Sequence, residues 1–274
     1  MSEEKIGSML CPNCGKLISI NAEACIHCGY KNPGLWGWGQ RLTGLFRNYD
    51  FAQIVTLACA ALYMFCLALD PGAIFQVRGF LSFLSPSHES LDRLGMTGSF
   101  AMAAGRWWTL ITAIYLHGGL LHIFFNLMWV RQLAPQVEEL FGASRLIVIY
   151  TFSGVLGFVL SNFMGIGFTI GASGAIFGLL GAIVYYGRSR GGVFGREVYQ
   201  QTLQSALVLF LFGFFMPGVN NWAHGGGFLG GYLTAMLVGY SEKSLENVRI
   251  QGLTVVTLAI TIVSFAMVLW QNLF

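Results

Sequence analysis

The chain has 274 residues, of which 55% are hydrophobic and only 10% charged, with a formal net charge of +3. Soluble globular domains carry charge on about a quarter of their residues, so this composition excludes an ordinary soluble protein. It points to an all-α polytopic membrane protein, because in lipid each backbone polar group must find its partner within its own helix. The small, scattered positive charge gives no basis for a nucleic-acid partner and reads as topology charge beside lipid headgroups.

In chain order, residues 1–10 carry Glu3 and Glu4 and no apolar core, which is not the shape of a cleaved signal peptide. Residues 1–34 read as a separate module. Cys11-Pro12-Asn13-Cys14-Gly15 and Cys25-Ile26-His27-Cys28-Gly29 form two Cys-x-x-Cys turns separated by ten residues. Four thiolates on two tight turns can converge on a tetrahedral zinc, with Gly15 and Gly29 permitting the left-handed turn after each second ligand. Two disulfides or plain thiols are the alternative, which a reducing cytoplasmic compartment disfavours. His27, inside a knuckle, reads as a surface residue. The stretch over 10–33 resembles the short zinc-ribbon family. A closed four-sulfur set keeps no open coordination position, so it should hold structure or a protein partner and not catalyse. Residues 35–50, with Trp36, Trp38, Arg41 and Arg47, read as an interfacial linker with aromatic anchors.

A helix needs about 20 apolar residues to cross the hydrocarbon. Seven candidates follow, over 51–69, 109–130, 146–164, 170–187, 198–216, 222–240 and 250–273. Cys59 and Cys66 on the first read as small packing residues. The long segment between the first two spans has apolar patches such as Phe80-Leu81-Ser82-Phe83-Leu84, consistent with a structure lying partly in the interface. Gly165 to Thr169 and Pro217 to Asn221 make short uncharged links between later spans. Lys5, Lys16, Lys31, Arg41 and Arg47 precede the first span, while Arg188, Arg190 and Arg196 fill the link between the fourth and fifth. An even number of crossings separates these basic regions, so the N-terminus is expected to be cytoplasmic and Phe274 outside. Six spans fall within 51–240; residues 241–274 add a linker and a seventh.

The fourth span lies in a run from 146 to 187 with no Asp, Glu, Lys or Arg, and near its start is Gly171-Ala172-Ser173-Gly174. The second span holds His122 and Asn126, spaced i and i+4 and therefore on one helix face, about 6 Å apart along the axis. His224 lies near the start of the sixth. With the expected topology these positions share the extracytoplasmic side. Each suits acyl transfer: Ser173 as nucleophile, His224 as the base it needs, and the Ser173 N–H, the Asn126 amide and a His122 ring N–H as oxyanion donors. No acid is placed to orient His224, so a dyad is expected, in a pocket open to water. Taken singly, each residue has a plain packing or hydrogen-bonding explanation; their joint occurrence at matching depth, where unpaired polar groups are costly, favours a site. Gly227 and Gly231 on the sixth span, with Gly171, Gly174, Gly178 and Gly181 on the fourth, make small-xxx-small faces that would let the two backbones approach.

With His122-x-x-x-Asn126, Gly171-x-Ser173-Gly174 and Ala223-His224-x-x-Gly227-x-x-x-Gly231, the stretch over 51–240 resembles the rhomboid intramembrane serine proteases. The resemblance implies a six-helix core, here with one helix more. It implies Ser173 as nucleophile, His224 as base, and His122 and Asn126 as oxyanion helpers. It also implies a cap made by residues 216–221, and single-span membrane proteins as substrates, cut in or near their transmembrane segment. Three positions differ from or test the pattern. Thr109 follows Trp108 where the family has arginine, with Arg106 the nearest replacement. Phe177 stands where the family often has tyrosine, and Glu138 matches a structural acid or is a solvated helix end. Two other classes remain beside this reading. A rhomboid-like noncatalytic binder or escort of membrane helices should lack the nucleophile or base. A transporter could use the histidines as proton relays, but no internal repeat or mid-span acid is present.

Overall fold

The computed structural model describes residues 7–11, 14–33, 50–75, 83–242 and 248–273. Most of the expected interfacial linker, with Trp36, Trp38, Arg41 and Arg47, lies outside the described residues, as do Phe80, Leu81 and Ser82 of the apolar patch. Two short strands, β1 (Ser8–Leu10) and β2 (Leu17–Ser19), pair antiparallel with Met9 opposite Ile18. The described residues that follow are mainly helical: α1 (Phe51–Leu69), α2 (His88–Arg93), α3 (Ser99–Ala103), α4 (Thr109–Thr112), α5 (Leu120–Phe141), α6 (Ala143–Phe163), α7 (Ser173–Arg190), α8 (Gly192–Phe212), α9 (Asn221–Val238) and α10 (Val248–Leu273). Helices α1 and α5 to α9 form the six-helix core, and α10 is the seventh long helix of an integral, multi-pass membrane protein.

The start of α1 is written in its sequence. Asp50 accepts from the Gln53 N–H at 2.7 Å while the Gln53 side chain accepts from the Asp50 N–H, a reciprocal cap that satisfies two otherwise orphaned donors. Cys59 and Cys66 are fully buried along this helix, as packing residues should be. Helices α1, α6 and α10 are each long and apolar enough to cross a membrane alone. Helix α7 is different: 14 of its 18 residues are buried, so it is the central rod, shielded from lipid by its neighbours.

The second span departs from expectation. A single rod over 109–130 does not form; the segment Thr109–Tyr115 and the helix Leu120–Phe141 meet at a 93° bend. Hydropathy reports preference for lipid and not direction of travel, and the break falls beside Gly118 and Gly119, poor helix formers. The turn buries Leu116 and His117 completely. Beyond it α5 runs past Val130 because Leu133, Ala134, Val137 and Phe141 continue its buried stripe. Glu138 is half-buried near its end.

At that end of the bundle lies fully buried Arg145. Its Nη1 donates to the Phe141 carbonyl and its Nε to the Val238 carbonyl, each at 3.0 Å. These are terminal carbonyls of α5 and α9, where a cation complements the helix dipole. At the opposite end, the loop before α4 is anchored twice. Arg106 grips Asp92 through two hydrogen bonds of 2.8 and 3.2 Å. Thr109, at the position where arginine was expected, is fully buried with its hydroxyl 3.0 Å from that of Thr97. Helix α10 braces the same loop: Val268 joins a buried cluster with Leu91, Leu94, Met96 and Leu116, and the Asn272 amide donates to the Arg93 carbonyl at 2.7 Å.

Candidate active site

Three helices begin together: α5 with His122 in its first turn, α7 at Ser173, and α9 with His224 in its first turn. Their approach is set by missing side chains. A Cβ on Gly227 would lie 2.0 Å from the Gly174 carbonyl oxygen, and one on Gly231 would lie 1.9 Å from that of Gly178. Both are far inside van der Waals contact, so only glycine lets α7 and α9 meet backbone to backbone. The small-residue face expected from the sequence is therefore the seam between these two helices.

That seam fixes the imidazole of His224. Its ring stacks on Phe177 with centroids 4.3 Å apart and planes 17° from parallel, and Phe177 is one turn along α7 from Ser173. The residue is 7% exposed. Its Nδ1 lies 3.2 Å from the Asn221 Oδ1, and an amide oxygen can only accept. The hydrogen of the neutral ring therefore sits on Nδ1, and Nε2 keeps its lone pair. Asn221, in the sequence only part of a short uncharged link, is the polar side chain within hydrogen-bond distance of the imidazole Nδ1.

Ser173 is the first residue of α7, with no side-chain cap before it. The N–H groups of a first turn have no intrahelical carbonyl to bond and carry the positive end of the helix dipole. Ahead of it, Gly171 has φ +117, and a Cβ there would meet the His122 Nε2 at 2.6 Å. The Gly118 N–H donates to the His122 Nδ1 at 3.3 Å, so the neutral ring carries its hydrogen on Nε2, beside Gly171. Asn126 is 6% exposed; its Nδ2 donates to the His122 carbonyl at 2.8 Å, and its Oδ1 is a buried acceptor without a partner. His122 thus already offers a hydrogen toward the Ser173 turn, and the Asn126 Nδ2 keeps a second hydrogen beyond the one it gives to His122.

The four cysteines also converge. The Cys11, Cys14, Cys25 and Cys28 sulfurs all lie within 4.8 Å of one another, with Cys11 to Cys28 and Cys14 to Cys25 each at 3.7 Å. A disulfide requires about 2.05 Å, so these are free thiols. Four sulfurs at about 2.3 Å from a tetrahedral zinc stand roughly 3.8 Å apart along each edge, which this cluster fits, so it could hold a metal ion. Gly15 and Gly29 adopt φ of 68 and 71 and each donates back to a cysteine carbonyl at 2.8 Å, closing the two knuckles. His27 is exposed and outside the cluster, as expected.

The Rhomboid domain family matches residues 104–241, which contain Ser173, His224, His122 and Asn126. This chain belongs to the rhomboid family. Among its relatives, Rhomboid protease GluP of Bacillus subtilis (strain 168) is 32% identical over 166 residues, 61% of this chain and 33% of GluP. RHOMBOID-like protein 5 of Arabidopsis thaliana is 34% identical over 200 residues, 68% of this chain and 65% of the relative. Putative rhomboid protease YdcA of Bacillus subtilis (strain 168) is 34% identical over 166 residues, 57% of this chain and 81% of YdcA. This rhomboid chain thus spans a third of GluP and just under two thirds of the plant relative. The four cysteines lie before the matched region.

Proposed function

We propose that this rhomboid is an intramembrane serine endopeptidase that cuts single-span membrane proteins in or near their transmembrane segment through a dyad of Ser173 and His224. The observation that carries the reading is the glycine-lined seam of α7 and α9, which stacks the His224 ring on Phe177 one turn from Ser173. Two relatives named as proteases support the chemical class.

The geometry suits the following steps. The Ser173 hydroxyl oxygen attacks a peptide carbonyl as its proton passes to the His224 Nε2, the nitrogen that the Asn221 bond leaves with a lone pair. The negative oxygen of the tetrahedral intermediate is met by the Ser173 N–H, the His122 Nε2–H and the second Nδ2 hydrogen of Asn126. Collapse breaks the C–N bond, and His224 returns its proton to the leaving amine. Water then attacks the acyl–serine ester by the same route, releasing the acid and restoring both residues. Basic residues before α1 and at 188–196 support a cytoplasmic N-terminus and a site open to the other side.

We also infer that Cys11, Cys14, Cys25 and Cys28 hold one structural zinc in a ribbon module over 1–34 that serves a protein partner, apart from the protease core over 51–240. Metal analysis should find one zinc per chain, lost when Cys11 and Cys14 become serine, with the core's hydrolysis retained. Metal-free protein with a folded ribbon would contradict the zinc. The protease reading is tested by reconstituting the protein in lipid with a single-span substrate, beside Ser173→Ala and His224→Ala. Cleavage is expected from the wild type alone, and cleavage persisting in both variants overturns the dyad.

A further inference from the structure

We propose that Asn220 is a positioning residue that locks the helix bearing His224 to the segment bearing Ser173, so that one amide sets the spacing of nucleophile and base. The inference rests on the dyad reading above. Asn220 caps α9: its Oδ1 accepts from the Ala223 N–H at 3.2 Å, and its carbonyl accepts from the His224 N–H at 3.2 Å. Its Nδ2 has two hydrogens and meets two acceptors, the Ser161 Oγ at 2.6 Å on α6 and the Thr169 Oγ1 at 3.0 Å. Ser161 and Thr169 are buried, so these hydroxyls depend on protein partners.

Thr169 stands four residues before Ser173, as Asn220 stands four before His224. The segment at Thr169 is itself held: its N–H donates to the Thr97 carbonyl at 2.8 Å, and the Thr97 N–H donates back at 3.3 Å. Thr97 in turn contacts buried Thr109. A chain of hydrogen bonds therefore runs from the loop before α4, through the approach to Ser173, to the cap of the helix carrying His224. Capping alone would be served equally by Asp, Ser or Thr. The asparagine amide supplies an acceptor and two donors together, so one side chain both caps α9 and bridges Ser161 and Thr169. Reacting groups displaced by about 1 Å can lose about a hundredfold in rate, so a loosened tether should register in chemistry before it registers in binding.

The test uses the full-length protein in lipid vesicles and measures three quantities: labelling of Ser173 by a small fluorophosphonate, kcat and KM on a single-span substrate, and the thermal unfolding midpoint. Asn220→Ser keeps a cap on α9 with a side chain too short to bridge Ser161 and Thr169, whereas Asp could still accept from both hydroxyls; Thr169→Val removes one partner without adding charge; Thr169→Ser keeps the hydroxyl. Asn220→Ser and Thr169→Val are expected to slow labelling and kcat in parallel by about tenfold, the worth of one hydrogen bond, at unchanged KM, with a somewhat lower midpoint and the rate loss persisting well below that midpoint. Thr169→Ser should hold the wild-type rate. Wild-type labelling rates in Asn220→Ser and Thr169→Val, or losses that vanish when labelling is measured well below each variant's midpoint, would overturn the tether while leaving the dyad standing. A wild-type protein that is neither labelled at Ser173 nor able to cleave would overturn the dyad, and the tether with it.

Discussion

The two ends of α7 are built on opposite plans. At the Arg190 end, charge closes the structure: Arg145 spans the terminal carbonyls of α5 and α9, and Arg190 pairs with Glu242 at 2.9 Å while Tyr186 donates to the same carboxylate. At the Ser173 end the immediate neighbours among the described residues are imidazoles, carboxamides and hydroxyls, beside the first-turn N–H groups of α7. Charges at the first end stabilise a fixed geometry, whereas neutral groups at the second can trade a proton without unbalancing the fold. On the proposed function stability and chemistry are separated along one helix, and substitutions at the two ends should fail in different ways.

The largest expected effect is at the neutral end. Ser173→Ala or His224→Ala should lower cleavage by about 10⁴-fold or more, with the unfolding midpoint of the detergent-purified protein kept. Asn126→Ala should lower kcat by about a hundredfold, the usual worth of one oxyanion donor, because Ser173 and His122 still contribute; unchanged turnover would remove Asn126 from the site. At the charged end the pattern should reverse. Arg145→Met leaves two carbonyls without a donor and should lower stability by about 2 kcal/mol, read as a lower unfolding midpoint, with turnover at a permissive temperature preserved. The smallest effect belongs to Glu242. The Tyr186 hydroxyl and then the Arg190 guanidinium hold its carboxyl below the usual carboxylate range. A depressed folded value means its stabilisation is present above the unfolded value of about 4.3 and is lost as acid protonates the folded form. Glu242→Gln should therefore lower the midpoint slightly at neutral pH, where the carboxylate stabilises the fold, and leave the midpoint in strong acid nearly untouched, so that the midpoint-versus-pH curve is flatter.

What could be read from the chain tracks how local each signal is. Ser173, His224 and the pair His122 and Asn126 were legible because a polar residue in an uncharged apolar run is costly and so conspicuous. Gly227 and Gly231 were legible because their spacing marks one helix face. The bend at Gly118 was not, since 109–130 has the composition of a span whichever way the backbone turns. Asn220, Asn221 and Thr169 were hidden for another reason. Each sits in or beside a short link where polar residues are ordinary, and their importance comes from partners as distant in sequence as Ser161. The brace of Asn272 on the Arg93 carbonyl is likewise a long-range contact that no local pattern announces.

The comparison between the two ends depends on Ser173 and His224 acting on one carbonyl, and affinity labelling addresses that most directly. A peptidyl chloromethyl ketone needs a serine to add to its carbonyl before a neighbouring imidazole displaces the chloride. Peptide mapping of the lipid-reconstituted protein should find the adduct on the His224 Nε2, and Ser173→Ala should abolish it. Alkylation of His224 at an equal rate without Ser173, or an adduct found only elsewhere, would contradict the shared site.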